Sequence, residues 1–167
     1  MAKIIHKVPL VAQQHLNDCW IASFRMIERW YNNLLPTRPT LTTKNLESLV
    51  GGPNMLNTGH LPAFIKKTGM SDFRRNPTAA ELEKLLKAYG PLWCPAKVGA
   101  HSAPTQGHVV VIIGIDGGDL FFNDPLPVKS GLAMQQFPIA DFFGMYLLPV
   151  SSPSPFLVML KNSRPSP

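Results

Sequence analysis

The sequence predicts an α+β fold in which helices pack against an antiparallel β-sheet. Helical periodicity is confined to the stretch before Gly90, and short β-branched or aromatic runs separated by turn residues fill most of the chain beyond it. A third observation sets the scale. A chain of 167 residues, 45% of them hydrophobic and with mean hydropathy near zero, suffices for one globular domain with its own core. That domain is expected to span residues 1–150, followed by a Ser/Pro-rich tail over 151–167 that is partly disordered.

The first long helix begins near Cys19. From Trp20 onward, Phe24, Ile27, Tyr31 and Leu34 recur at helical spacing with Trp30 beside them, and Asn17 or Asp18 can cap the start. Pro36 and Pro39 break it. A short helix comes next over Thr42–Val50, stopped by Gly51 and Gly52. Leu61–Thr68 makes a third, with Pro62 in its first turn and Gly69 after its end. Thr78 and Glu81 form a capping box that opens a fourth, carried by Leu82, Leu85, Leu86 and Tyr89 and closed by Gly90 and Pro91. Strands are expected at Leu92–Val98, Val109–Ile115, Leu120–Phe122 and Met145–Val150, with a further helical turn near 139–143 and an edge strand near Phe156–Leu160.

Composition narrows the function classes. Lys and Arg number 16 against 10 Asp and Glu, and residues 1–75 hold ten of the basic side chains but only four of the acidic ones. The basic residues are scattered and not interleaved with exposed aromatics, so a solvated surface or an acidic protein partner fits better than nucleic acid. No apolar run reaches the length of a membrane span, and the first residues lack the apolar region of a secretory signal; the chain is expected to be cytoplasmic at synthesis. His6, His15, His60, His101 and His108 show no metal-ligand spacing, so neither zinc nor another cofactor is expected. The two cysteines, Cys19 and Cys94, are not expected to pair, and Cys94, in a strand-like run, reads as core.

Cys19 has the setting of a nucleophile. A thiol in the first turn of a helix meets unpaired N–H groups and the positive end of the macrodipole, both of which favour thiolate. The Cys19 N–H and the amide of Gln13, six residues upstream, could hold a developing oxyanion. His108 opens a β-branched strand and is a candidate base. The turn over 116–119 returns the chain through Leu120–Phe122 to Asn123, Asp124 and Pro125, where Asp124 could accept the second ring N–H of His108. Taken singly, each residue has a structural reading: a buried small hydrophobe, a satisfied histidine, an Asx turn. The order and placement of the set favour catalysis.

These residues resemble a family. Gln13 and Cys19-Trp20 at a helix start, Gly107-His108 before a valine run, and Asn123-Asp124-Pro125 are similar to the papain-like cysteine peptidases. More narrowly they resemble the compact bacterial branch of double-glycine leader peptidases and secreted effector proteases, antibacterial type VI-like effectors included. The likeness spans residues 8–150, with no matching motif in the middle third. It implies a helical lobe carrying the nucleophile at the start of its central helix, packed on a sheet lobe with the site between them. It also implies Cys19 as nucleophile, His108 as base and acid, Asp124 as orienting residue and Gln13 as oxyanion donor. Plant and lysosomal members carry another cysteine three residues before the nucleophile. Here Leu16, Asn17 and Asp18 precede Cys19, and the disulfide is missing.

The resemblance implies hydrolysis of peptide bonds in a protein substrate. Cys19 lies so near the start that no inhibitory pro-segment is expected. Restraint by a cognate immunity protein plugging the cleft, and delivery into another cell's cytoplasm as an effector toxin, then form the biological expectation. Three alternatives remain: a double-glycine leader peptidase; an amidase, deamidase or acyltransferase using the same triad; and a non-enzymatic binding module. Trp20-Ile21 after the cysteine, where cell-wall relatives carry serine-glycine, counts against the second. Trp20 itself fits either the core or a shield over the His108–Asp124 pair, its helical position favouring the core. The loop His101–Gln106 is expected to border the substrate groove.

Overall fold

The computed structural model describes residues 3–34, 40–57, 59–73, 77–97, 107–145 and 156–159. In chain order its elements are β1 (Ile4–Ile5), α1 (Cys19–Leu34), α2 (Thr43–Glu47) running into a 3-10 turn at Ser48–Val50, α3 (Leu61–Thr68), β2 (Met70–Phe73), α4 (Ala79–Tyr89), β3 (Leu92–Lys97), β4 (Gly107–Asp116), β5 (Asp119–Asp124), β6 (Leu132–Pro138), α5 (Ile139–Met145) and β7 (Phe156–Met159). The strands form one antiparallel sheet in the order β2-β7-β3-β4-β5-β6. β1 pairs with β4 at Gly114 and Ile115, past the end of β3 and along the same edge.

The unbroken apolar run of β4 is explained by burial on both faces. Val109, Val111 and Ile113 face one core cluster with Trp93 of β3, whereas Val110 and Ile112 face another with Leu92, Cys94 and Ala96. The first cluster is roofed by α1. The second is roofed by Leu82, Leu85 and Leu86 of α4 and by Ile139 and Phe142 of α5. A β-bulge between Ile112 and Gly114 shifts the alternation, so that Ile115 joins the second cluster. Gly114 is required there, because a Cβ would stand 2.1 Å from the carbonyl oxygen of Ile4.

α1 is buried on more than its expected stripe. Trp20, Phe24, Ile27 and Tyr31 are joined by buried Ile21, Ala22 and Met26, because the sheet covers one side while Leu41, Leu46, Val50 and Phe64 cover the other. Even Glu28 is buried, accepting from Arg25 and from the Leu41 N–H. The helix ends obey the expected chemistry. Thr78 and Glu81 form their capping box, Gly69 closes α3 in the left-handed region, and Gly90 comes after α4 at positive φ. Thr42 and Asn45 build a second box.

Helices cover both faces of the sheet, α1 to α3 one and α4 and α5 the other. Several expectations are corrected. The helical turn foreseen near 139–143 is present as α5, and it runs to Met145, where a strand was expected to begin; 146–150 lie outside the described residues. β7 is interior, between β2 and β3, rather than an edge. Strand β6 was not foreseen, and its exposure explains why: Leu132, Ala133, Met134, Gln136 and Pro138 are all exposed, so it carries no apolar alternation. The expected loop at 101–106 lies outside the described residues, as does the expected tail over 151–167 except for 156–159 in β7.

Candidate active site

Cys19 is the first residue of α1 and only 3% exposed. The turn before it is tightly tied. Asp18 receives the Ala22 N–H on its carbonyl, opening the helix, while its carboxylate reaches back to the His15 N–H at 3.1 Å. Gln13, also buried, donates through Nε2 to the carbonyl oxygens of His15 (2.8 Å) and Leu16 (3.2 Å). Its Oε1 is buried with no hydrogen-bond partner among the described residues. The Gln13 main chain is held too, donating to Pro125 O at 3.0 Å and accepting from Lys129 N at 2.8 Å. Thus the loop leading to the thiol is fastened to the segment just after Asp124.

The register of the β4–β5 hairpin places the other two groups. Val111 pairs with Asn123, so Asp124 falls one step further, diagonal to His108 on the same face. The resulting bond, His108 Nε2 to Asp124 Oδ1, is 2.6 Å long, and Asp124 Oδ1 also accepts from Leu126 N at 2.8 Å, closing an Asx turn. A carboxylate only accepts, so the proton on this bond belongs to Nε2. Nδ1 makes no bond to Asp124, and Cys19 stands near enough to the ring to favour its charged form. Burial opposes charge on His108, yet the bond to Asp124 and then the neighbouring Cys19 outweigh it, and its pKa is pushed up to about 9.

The structure therefore brings Cys19, His108 and Asp124 into one constellation and seats Gln13 beside it. Trp20 is core: it stacks edge-on against Phe64 at 5.6 Å and donates from Nε1 to Asn54 O. Cys94 sits in the second cluster, on the opposite face of the sheet from Cys19, and both thiols are free. Beside the site, sequence reasoning missed the buried polar residues Ser23 and Asn123. Ser23 donates to Val109 O at 3.0 Å, and Asn123 bridges Val8 O and Met134 N. A serine one helical turn after Cys19 in an otherwise apolar stripe was the available signal for the first; Asn123 was masked by its reading as part of a turn.

Residues 2–142 match a family described as papain-like cysteine protease AvrRpt2. The chain belongs to this family. No curated protein matches the sequence. Among solved structures, this family member is similar to a protein described as a C39-like peptidase from Bacillus anthracis, at 17% identity and a TM-score of 0.67, with 98% of this chain and all of that one covered. It is also similar to a double-glycine motif protease from an AMS/PCAT transporter, solved with its leader peptide, at 17% identity and a TM-score of 0.56, covering 95% of this chain and all of that one. At this identity the two neighbours define the fold: a papain-like domain in the C39 manner.

Proposed function

We propose that the protein is a cysteine endopeptidase in which Cys19 is the nucleophile, His108 the base and acid, and Asp124 the orienting carboxylate. One observation carries this reading: His108 spends Nε2 on a 2.6 Å bond to Asp124, which leaves its other ring nitrogen unused by the carboxylate, and a cysteine at a helix start stands beside the ring. His108 Nδ1 takes the thiol proton, and the thiolate attacks the carbonyl carbon of a peptide bond. The Cys19 N–H and the Gln13 amide hold the oxyanion. Oxyanion donation by Gln13 requires one amide hydrogen to turn from the carbonyl oxygens of His15 and Leu16 toward the substrate. The imidazolium then protonates the leaving amine, giving a thioester that water hydrolyses. Asp124 fixes the ring and stabilises its charge in both halves of the reaction.

The substrate is a protein, and the biological setting we favour is a bacterial effector toxin delivered into the cytoplasm of a target cell. A cognate immunity protein would block the cleft, with acidic residues suited to the basic excess of residues 1–75. A second reading, processing of a leader peptide, is supported by the likeness to a protease solved with one.

Wild type and Cys19→Ala are to be expressed separately in bacterial cytoplasm, scoring growth and comparing the two proteomes for new protein N-termini. Growth arrest and new termini that depend on Cys19 are expected. Identical growth and identical termini would overturn the effector-protease reading in that compartment.

A further inference from the structure

The nucleophile and the base stand on different elements, so the distance between them depends on how α1 docks on the sheet. Apolar packing between the two is non-directional and leaves sliding along the strand weakly opposed. Directional contacts must fix the register. Ser23 provides one beside both groups: it lies one helical turn after Cys19, is fully buried, and donates to the carbonyl of Val109, the neighbour of His108 in the chain.

That carbonyl is unusual for a strand in mid-sheet. Each antiparallel residue exchanges its main-chain bonds with the residue directly opposite on one edge or the other. Opposite Val109 on the β3 edge is Pro95. On the β5 edge the pairing ends at Val111 and Asn123, before Val109 is reached. A proline has no N–H to give. The strand paired with Val109 therefore offers its oxygen no donor, and the Ser23 hydroxyl bonds it from the helix above. The gap in the ladder is what allows a helix side chain to bond a buried strand carbonyl.

We propose that Ser23 is a positioning residue for catalysis: its hydroxyl, bonded to a Val109 carbonyl that Pro95 cannot serve, locks α1 onto β4 and so sets the Cys19–His108 contact. The proposal rests on the reading of Cys19 and His108 as a reacting pair. Ser23 touches no substrate; it acts through the helix turn that bears the thiol.

The test is the pH dependence of Cys19 alkylation by iodoacetamide, followed by mass for wild type, Ser23→Ala, Ser23→Thr and Ser23→Val. A cysteine in register with an imidazolium alkylates in mild acid, whereas an unassisted thiol waits for alkali. Wild type and Ser23→Thr are expected to react readily at about pH 6, with Ser23→Ala and Ser23→Val at least about tenfold slower there and equal to wild type near about pH 10. Thr and Val share a shape, so a difference between those two reports the hydroxyl and not the packing. Superimposed profiles, or the same reduction at every pH, would overturn the proposal. So would failure of both hydroxyl-free variants to fold, which would make Ser23 a residue of the core alone. A wild-type profile without acid reactivity would instead sink the Cys19–His108 reading on which the proposal depends.

Discussion

The two cysteines are separated by one sheet. Cys19 is 3% exposed and Cys94 fully buried, so solvent access hardly distinguishes them. Their surroundings do. Cys94 is in mid-strand among Leu92, Val110 and Ile112, its thiol donating to the carbonyl of Pro95 at 3.5 Å, and burial pushes its pKa well above that of a free thiol. Cys19 begins a helix and adjoins a histidine that is itself braced by a carboxylate. The difference teaches that burial does not by itself set the chemistry of a thiol, which depends on the polar groups around it.

The largest effect that would break this contrast concerns the two thiols directly. Cys19→Ala is expected to lower peptide hydrolysis by at least about a thousandfold with little change in the unfolding midpoint. Cys94→Ala should retain activity and instead lose about 1–2 kcal/mol of stability through the cavity it leaves. Assay on a cleaved substrate and urea unfolding of both variants measure this; an active Cys19→Ala variant would reverse the roles.

The brace on His108 comes next. Asp124→Asn should reduce turnover by about a hundredfold or more, since the amide offers no charge and permits the wrong tautomer. It should also return the His108 titration from about 9 toward the ordinary value of 6.5, as followed by NMR of the ring protons. A ring still titrating near 9 in this variant would show that Cys19 alone sustains the imidazolium.

The smallest effect is on stability against pH. The folded pKa of His108, about 9, lies above its ordinary value of 6.5, so its stabilisation is complete below pH 6.5 and is lost as pH rises through about 9. The gap in urea midpoint between wild type and Asp124→Asn should therefore be widest near about pH 6 and narrow above about pH 9. A gap that widens with alkali would contradict the assigned direction.

Much of this was legible in the sequence because local rules and tertiary demands agree. Pro62, Gly69, the Thr78–Glu81 box and Gly90 mark helix ends by backbone chemistry that needs no tertiary partner. The run from Val109 to Ile115 announced a strand covered on both faces, and the turn at 117–118 returned Asp124 to His108. What escaped depends on neighbours distant in sequence. β1 is two residues long and exists because Gly114 lets it approach; β6 is exposed and shows no alternation. β7 owes its interior place to β2 and β3 on either side. Ser23 and Asn123 read as an anomaly in an apolar stripe and a turn residue, and only the pairing register reveals what each one bonds.

The fastening of the N-terminal segment also dictates a timetable. His6 bonds Ile113, Val8 is held by Asn123, and Gln13 is clasped between Pro125 and Lys129, each contact spanning more than a hundred residues of chain. The chain must therefore be made through Lys129 before Cys19, His108, Asp124 and the clasp around Gln13 can meet. Closing such long loops is slow relative to forming the local helices, so this constellation assembles late in folding, after the helix that bears the thiol.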